Sequence, residues 1–200
     1  VVTDSINSQL GQGLDANGQF GADLFSSINS ATAIAQRSLA SSSNRADSGN
    51  PDVTIRNSGA LSTYDYEVKF SSASQYSVRR SDGTDMGSFD LAADPAPVID
   101  GFTLSLNGGA LSAGDSFKIT PTRNAAATIE ATLTDPKRLA MAAPLTGTSA
   151  SGNKGTGSIT QPTLTSELDI YDAAQRADLQ TGIKYSIPVK LVFGDDTTSP

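Results

Sequence analysis

The sequence contains no cysteine, no histidine and no tryptophan. Without cysteine there are no disulfides, thiolate metal sites or cysteine nucleophiles, and without histidine the usual general base and the commonest zinc ligand are gone. Much of enzyme chemistry is excluded with them. The missing tryptophan removes an aromatic platform of the kind that holds sugar rings. Positive charge is also short: 14 basic residues stand against 21 acidic ones, a net charge of -7. Such a chain repels phosphate backbones and anionic headgroups, so neither nucleic acid nor membrane is expected as a partner. No apolar run approaches the roughly twenty residues that span a bilayer as a helix, and the first residues lack the order of a secretory signal. The chain opens on Val1-Val2 without an initiator methionine and closes on Ser199-Pro200 straight after a strand pattern. It is therefore expected to be a piece of a longer protein.

What the sequence does have is period-two patterning. In Gly101 to Thr122, Phe102, Leu104 and Leu106 alternate with Thr103 and Ser105, Asn107-Gly108-Gly109 tolerates positive φ, and Phe117 and Ile119 alternate with Ser116 and Lys118. This predicts a β-hairpin with one apolar face, around which the rest of the chain is organised. Similar alternation marks Val53 and Ile55; Tyr64, Tyr66, Val68 and Phe70; Tyr76 and Val78; Phe89 and Leu91; and Ile129, Ala131 and Leu133. Turn formers such as Ser81-Asp82-Gly83 and Asp94-Pro95 separate them. The predicted fold class is mainly β: an antiparallel sandwich or barrel-like domain with short peripheral helices, plus a second, smaller β unit.

Helical signals are few. Val2, Ile6 and Leu10 form a thin stripe stopped by Gly11 and Gly13, Leu24 to Leu39 carries a weak and ambiguous helical pattern, and Asp135-Pro136 is an N-cap and N1 pair for a brief helix. Thr146 to Gln161 is small, polar and glycine-rich, which predicts a flexible connection. Further on, Ile183, Tyr185, Ile187, Val189, Leu191 and Phe193 fall on one face of a long predicted strand, with Pro188 restricting it to a sheet edge or a bulge. Four stretches follow: 1–45, the end of an N-terminal helical region and a connecting loop; 46–145, a β domain; 146–161, a linker; and 162–200, a second β unit, either separate or completing the first.

Few residues invite a chemical role. Asp15-Ala16-Asn17-Gly18 mimics the start of a calcium loop, but the later acidic ligands are absent, which favours a plain turn. Asp65 with Glu67, or Asp169 with Asp172, would be carboxylate pairs for glycoside hydrolysis, and Ser116 with Lys118 a Ser-Lys dyad; all occupy positions where solvated side chains are the default. Arg79-Arg80 beside Asp82 and Asp85 would serve as a partner patch, and Tyr64, Tyr66 and Tyr76 as a carbohydrate groove, against the plainer readings of a solvated rim and a core edge. No catalytic, cofactor-binding or metal-ligating residue is assigned. No Asn-x-Ser/Thr site occurs, which leaves only O-linked sugar open.

Four segments taken in order resemble the FlgK family of flagellar hook-associated proteins, which join hook to filament. They are INSQLGQGLDANGQFGADLF (6–25), NSGALSTYDYEVKF (57–70), YSVRR (76–80) and GFTLSLNGGALSAGDSFKITPTRNAAATIEATLTDPKRLAMA (101–142). The resemblance implies the end of an N-terminal helical region followed by an outward β domain. Leu10 stands where many members have histidine, and the tail from Pro162 matches no shorter member, although LDIYDAAQ (168–175) is weakly similar to hook-protein repeats. The resemblance further implies a non-enzymatic structural subunit, an adapter at the hook–filament junction. Its partners would be copies of itself in a ring, the hook protein and the second junction protein. It would be extracellular, exported by the flagellar secretion apparatus. The long terminal helices by which the family polymerises are missing, so the chain alone is expected to be monomeric. The alternative is an extracellular carbohydrate-binding or adhesin β module.

Overall fold

The computed structural model describes residues 1–106, 108–163, 169, 172–190 and 192. In chain order the elements are α1 (Val2–Gly11), α2 (Ala31–Ala35), β1 (Ser38–Ala40), β2 (Pro51–Ile55), β3 (Tyr66–Phe70), β4 (Gln75–Arg80), β5 (Asp85–Asp90), β6 (Phe102–Leu106), β7 (Ser116–Ile119) and α3 (Ala173–Tyr185). Contacts divide the chain into two compact units, Val1–Asn7 with Asp23–Leu133, and Ser8–Ala22 with Thr134–Pro200.

The seven strands among the described residues all lie in the first unit, and every pairing between them is antiparallel. A five-stranded sheet runs β1-β7-β3-β4-β5, and β2 with β6 forms a second sheet of two strands. The alternation in β3 and β4 buries Tyr66, Val68, Phe70, Tyr76 and Val78 on one face and exposes Glu67, Lys69, Ser77 and Arg79 on the other. β2 and β6 contribute Val53, Phe102 and Leu104 to the same core, joined by Ile99, Leu111, Phe117 and Ile119. The sheets meet through aromatic edges, Tyr66 against Phe102 at 5.0 Å between centroids. The fold class is thus mainly β, as the alternation predicts, without closure into a barrel among the described residues.

The predicted hairpin at Gly101–Thr122 is corrected. Its two strands exist, yet β6 pairs with β2 (Val53 opposite Leu104) while β7 pairs with β1 and β3 (Phe117 opposite Val68). The stretch between them is too long and too well anchored for a tight turn: Leu111 is buried, and the buried Asp115 accepts bonds from Ser112 N–H and the Ser48 hydroxyl, both at 2.9 Å. Gly108 and Gly109 do take positive φ, +77° and +69°; Asn107 lies outside the described residues. At Gly109 a Cβ would sit 2.7 Å from Gly49 Cα, so glycine there also permits a close backbone crossing.

Other expectations shift locally. The weak helix at Leu24–Leu39 contracts to α2, capped by the Ser30 hydroxyl, and Leu39 falls in β1. The strand expected at Ile129–Leu133 is reduced to one bridge, Phe25 with Ala131. α1 forms where predicted, but its fully buried positions are Asn7 and Gly11, while Val2 of the apolar stripe is 72 % exposed.

In the second unit Leu14 bridges Phe20 and Ala142, and Asp135 caps a 3-10 turn at Pro136–Arg138. Gly21 is obligatory, since a Cβ would lie 2.3 Å from Leu10 O and 2.5 Å from Ala140 Cβ. Residues 146–161 form no helix or strand, and Gln161 closes this stretch on itself by bonding Gly147 through both ends of its amide. The long strand predicted from Ile183 is corrected: Ile183–Tyr185 end α3, and residues 186–190 form no strand; Leu191 and Phe193 lie outside the described residues. The reason lies upstream. Asp172 caps Gln175 N–H, and Ala173-Ala174-Gln175-Arg176-Ala177 are strong helix formers that carry the helix on until Ile187-Pro188 forbids it. Among the described residues, then, no strand occurs in 162–200, and the smaller sheet is instead β2 with β6. No helix among them is long and apolar enough to cross a membrane.

Candidate functional site

Several of the charged residues singled out in the sequence converge on the exposed face of the five-stranded sheet. Register places Leu39, Lys118, Glu67, Arg79 and Asp85 in one row across all five strands. Its four charged positions alternate in sign. A shallow depression of about 560 Å³ lies over this row, its lining including Leu39, Asp65, Glu67, Arg79 and Lys118.

The geometry gives these residues no catalytic relation. Asp65 Oδ2 is bonded by Lys118 Nζ at 3.0 Å and Arg123 at 2.5 Å, and Glu67 extends from the same side of the chain rather than from an opposing wall. Glycoside hydrolysis needs two carboxyls facing each other across the sugar bond. Lys118 therefore points to Asp65 and not to the Ser116 hydroxyl, while the Ser116 backbone pairs with the Asn44 amide at 2.8 and 2.9 Å. No Ser-Lys dyad forms. With Lys118 and Arg123 about half exposed, these ion pairs contribute at most about 1 kcal/mol each.

Arg79 and Arg80 part company because neighbours on a strand face opposite ways. Arg79 joins the exposed row. Arg80 turns to the rim of the core, where it donates to Asp82 at 2.8 and 3.1 Å and to Asp100 at 3.3 Å, and lies 4.9 Å over the Tyr64 ring. The Arg80 guanidinium, helped by the Thr84 N–H, holds the Asp82 carboxyl well below the usual range, and Asp82 in turn locks Arg80 in its charged form.

The three tyrosines do not line a groove. Tyr66 is 1 % exposed, its hydroxyl donating to Asp100 Oδ2 at 2.7 Å and lying 2.6 Å from the Ser62 hydroxyl. Tyr76 is equally buried, and among the described residues its hydroxyl has no partner. Burial pushes both phenols up to about 12. Only Tyr64 reaches solvent, and it carries Arg80 on its face.

The remaining candidates are turns and caps. Asp15 Oδ1 accepts the N–H groups of Asn17 and Gln19 at 2.8 and 3.0 Å, and these bonds, Gln19 first, lower its pKa. It holds a turn. Among the described residues no three metal-capable side chains cluster anywhere. Asp172 caps α3. Sequence reasoning missed two buried polar pins and one at the rim of the core: Asn7, which accepts from Leu24 and Phe25 N–H and donates to Phe25 O; Arg37, which donates to Ile28 O, Asn29 Oδ1 and Val53 O; and the half-buried Asp100, at φ +41°, which accepts from Tyr66 and Arg80. Periodicity is silent on such residues; only Asp100-Gly101, a turn dipeptide, carries a signal.

The fold has a counterpart among solved structures. The flagellar hook junction protein FlgK from Burkholderia pseudomallei superimposes with a TM-score of 0.62 and 26 % identity over 80 % of this chain, which corresponds to 28 % of its own length. The chain thus spans little more than a quarter of that protein. Two crystal forms of Xanthomonas campestris FlgL align at 21 % and 18 % identity over 51 % and 66 % of this chain and 36 % and 41 % of theirs, both with a TM-score of 0.33, too low to carry weight. No family model and no curated protein matches the sequence. By class, the chain is a β-rich segment similar to flagellar hook-junction proteins. More particularly it is FlgK-like in fold.

Proposed function

We propose that this chain is the surface-displayed β portion of a flagellar hook–filament junction subunit, a passive adapter with no reactive residue. The likeness to the hook junction protein FlgK over 80 % of the chain carries this reading. The exposed sheet face supports it, because alternating charge and hydroxyl-bearing rows keep a repeated extracellular surface from sticking to its neighbours. In the intact protein the partners are further copies of the subunit, the hook protein and the second junction protein, and export uses the flagellar secretion apparatus. The carbohydrate-binding alternative loses its groove with Tyr66 and Tyr76 in the core.

This chain has no cysteine, so an introduced thiol is its only one; any cysteine in the rest of the intact protein is first replaced by serine. Lys118→Cys and Val68→Cys, placed separately in the intact gene, are treated on living cells with a membrane-impermeant maleimide dye. The reading predicts one focus per flagellum where hook meets filament for exposed Lys118→Cys, and none for buried Val68→Cys. Label spread over the cell body, or Lys118→Cys unlabelled in motile cells, refutes it.

A further inference from the structure

Among the described residues α3 has little cover. None of its residues is buried; those with partial cover are Arg176, Gln180 and Ile183, four and three apart on one face. Two of these three are polar, and both bond to the backbone of one loop. Arg176 donates to Gly21 O at 2.9 Å, Gln180 Nε2 donates to Gly18 O at 2.9 Å, and Gln180 Oε1 accepts from Phe20 N–H at 2.8 Å. The Gln180 amide thus bonds the carbonyl before Gln19 and the N–H after it, the pair of bonds that the N–H and C=O of one residue in a parallel neighbouring strand would make.

The helix has little stability of its own. Isolated helices of this length are marginal in water, and Gly182 in its interior weakens it further. Its last turn also belongs to the alternating stretch. Ile183 and Tyr185 point to different sides of a helix but to one side of a strand, in line with Ile187 and Val189. Tyr185, Ile187 and Val189 are 72 %, 84 % and 87 % exposed, a concentration of apolar surface that the helical arrangement leaves uncovered.

We propose that α3 is a releasable strap, clasped to residues 18–21 by Gln180 and Arg176, and that its release hands residues 183–190 to an extended strand conformation. Opening is local: the clasp joins side chains to the backbone of one loop in α3's own unit and involves no residue of the seven-stranded first unit.

The test is hydrogen exchange with limited trypsin digestion on the full 200-residue chain, as wild type, Gln180→Ala, Gly182→Ala and the double variant. Gln180→Ala is expected to raise exchange at residues 176–185 and cleavage after Arg176 and Lys184 roughly 25-fold, about fivefold for each lost bond. Gly182→Ala, whose added Cβ meets nothing within 4 Å, should slow both about fivefold in either background. Amides of β3 and β4 should not change. Unaltered exchange in Gln180→Ala, or loss of protection that spreads to β3 and β4, overturns the strap, as does Gly182→Ala without effect.

Discussion

Tyr66 and Tyr76 offer a matched test of how this core is built, because the same deletion should act in opposite directions. Both rings are 1 % exposed. The Tyr76 hydroxyl has no partner among the described residues, so its burial costs about 1–3 kcal/mol that no hydrogen bond offsets. Tyr76→Phe keeps the ring packed against Phe70 and Phe89, at 5.3 and 5.7 Å between centroids, and removes only that oxygen. It should stabilise the chain by about 1 kcal/mol, a rise of about 2–4 °C in Tm for a chain of this size. Tyr66→Phe removes a hydroxyl that bonds the Asp100 carboxylate and Ser62. Hydrogen bonds to charged groups contribute about 1.5–3 kcal/mol, so this variant should lose about 2 kcal/mol. Urea unfolding followed by circular dichroism measures both. A destabilised Tyr76→Phe, or the same sign for the two variants, would mean that hydroxyl satisfaction does not govern these sites.

Three further outcomes follow from the same geometry. Gly21→Ala should cost about 3 kcal/mol or prevent the second unit from folding, because its Cβ would meet Leu10 O at 2.3 Å; thermal melts that match wild type would show that this crossing is not tight. Lys118→Met should change stability by less than about 1 kcal/mol, since its partner Asp65 keeps Arg123; a larger loss in urea titration would make the exposed row structural. For pH, both phenols lie above their unfolded value of 10 in the folded chain, so their contribution is intact below pH 10 and lost as pH rises through about 12. On the acid side, the lowered pKa of Asp82 gives a contribution present above pH 3.8 and lost as pH falls below it. Asp82→Asn should flatten the acid limb of the stability curve and Tyr76→Phe should shrink the alkaline one, and unchanged limbs would refute both assignments.

Strands were legible in the sequence wherever one face is buried, because a period of two leaves a mark in every alternate residue. Tyr66-Val68-Phe70 and Tyr76-Val78 are the clearest cases. Pairing was not legible. Whether β6 meets β7 or β2 depends on where Leu111 and Asp115 anchor the intervening chain, which neither residue's neighbours reveal. The tail shows two local signals in conflict: alternation favours a strand from Ile183, while the Asp172 cap and the alanine-rich turn favour a helix that overruns its start. The candidate site was half legible. Glu67, Arg79 and Lys118 stand out as charges on strands, but their assembly into one row needs the register of five strands, and the pins Asn7 and Arg37 are polar residues on which the apolar stripes around them, Val2-Ile6-Leu10 and Leu24–Leu39, are silent.

The central claim, that this chain is architecture displayed outward at the hook–filament junction, meets its most direct test in an electron cryomicroscopy map of that junction from the source bacterium. The account predicts density that fits the five-stranded sheet at the outer radius of the junction, with Glu67, Arg79 and Lys118 facing solvent. A map that places this face against a neighbouring subunit or the central channel, or that holds no such sheet at the junction, would contradict it.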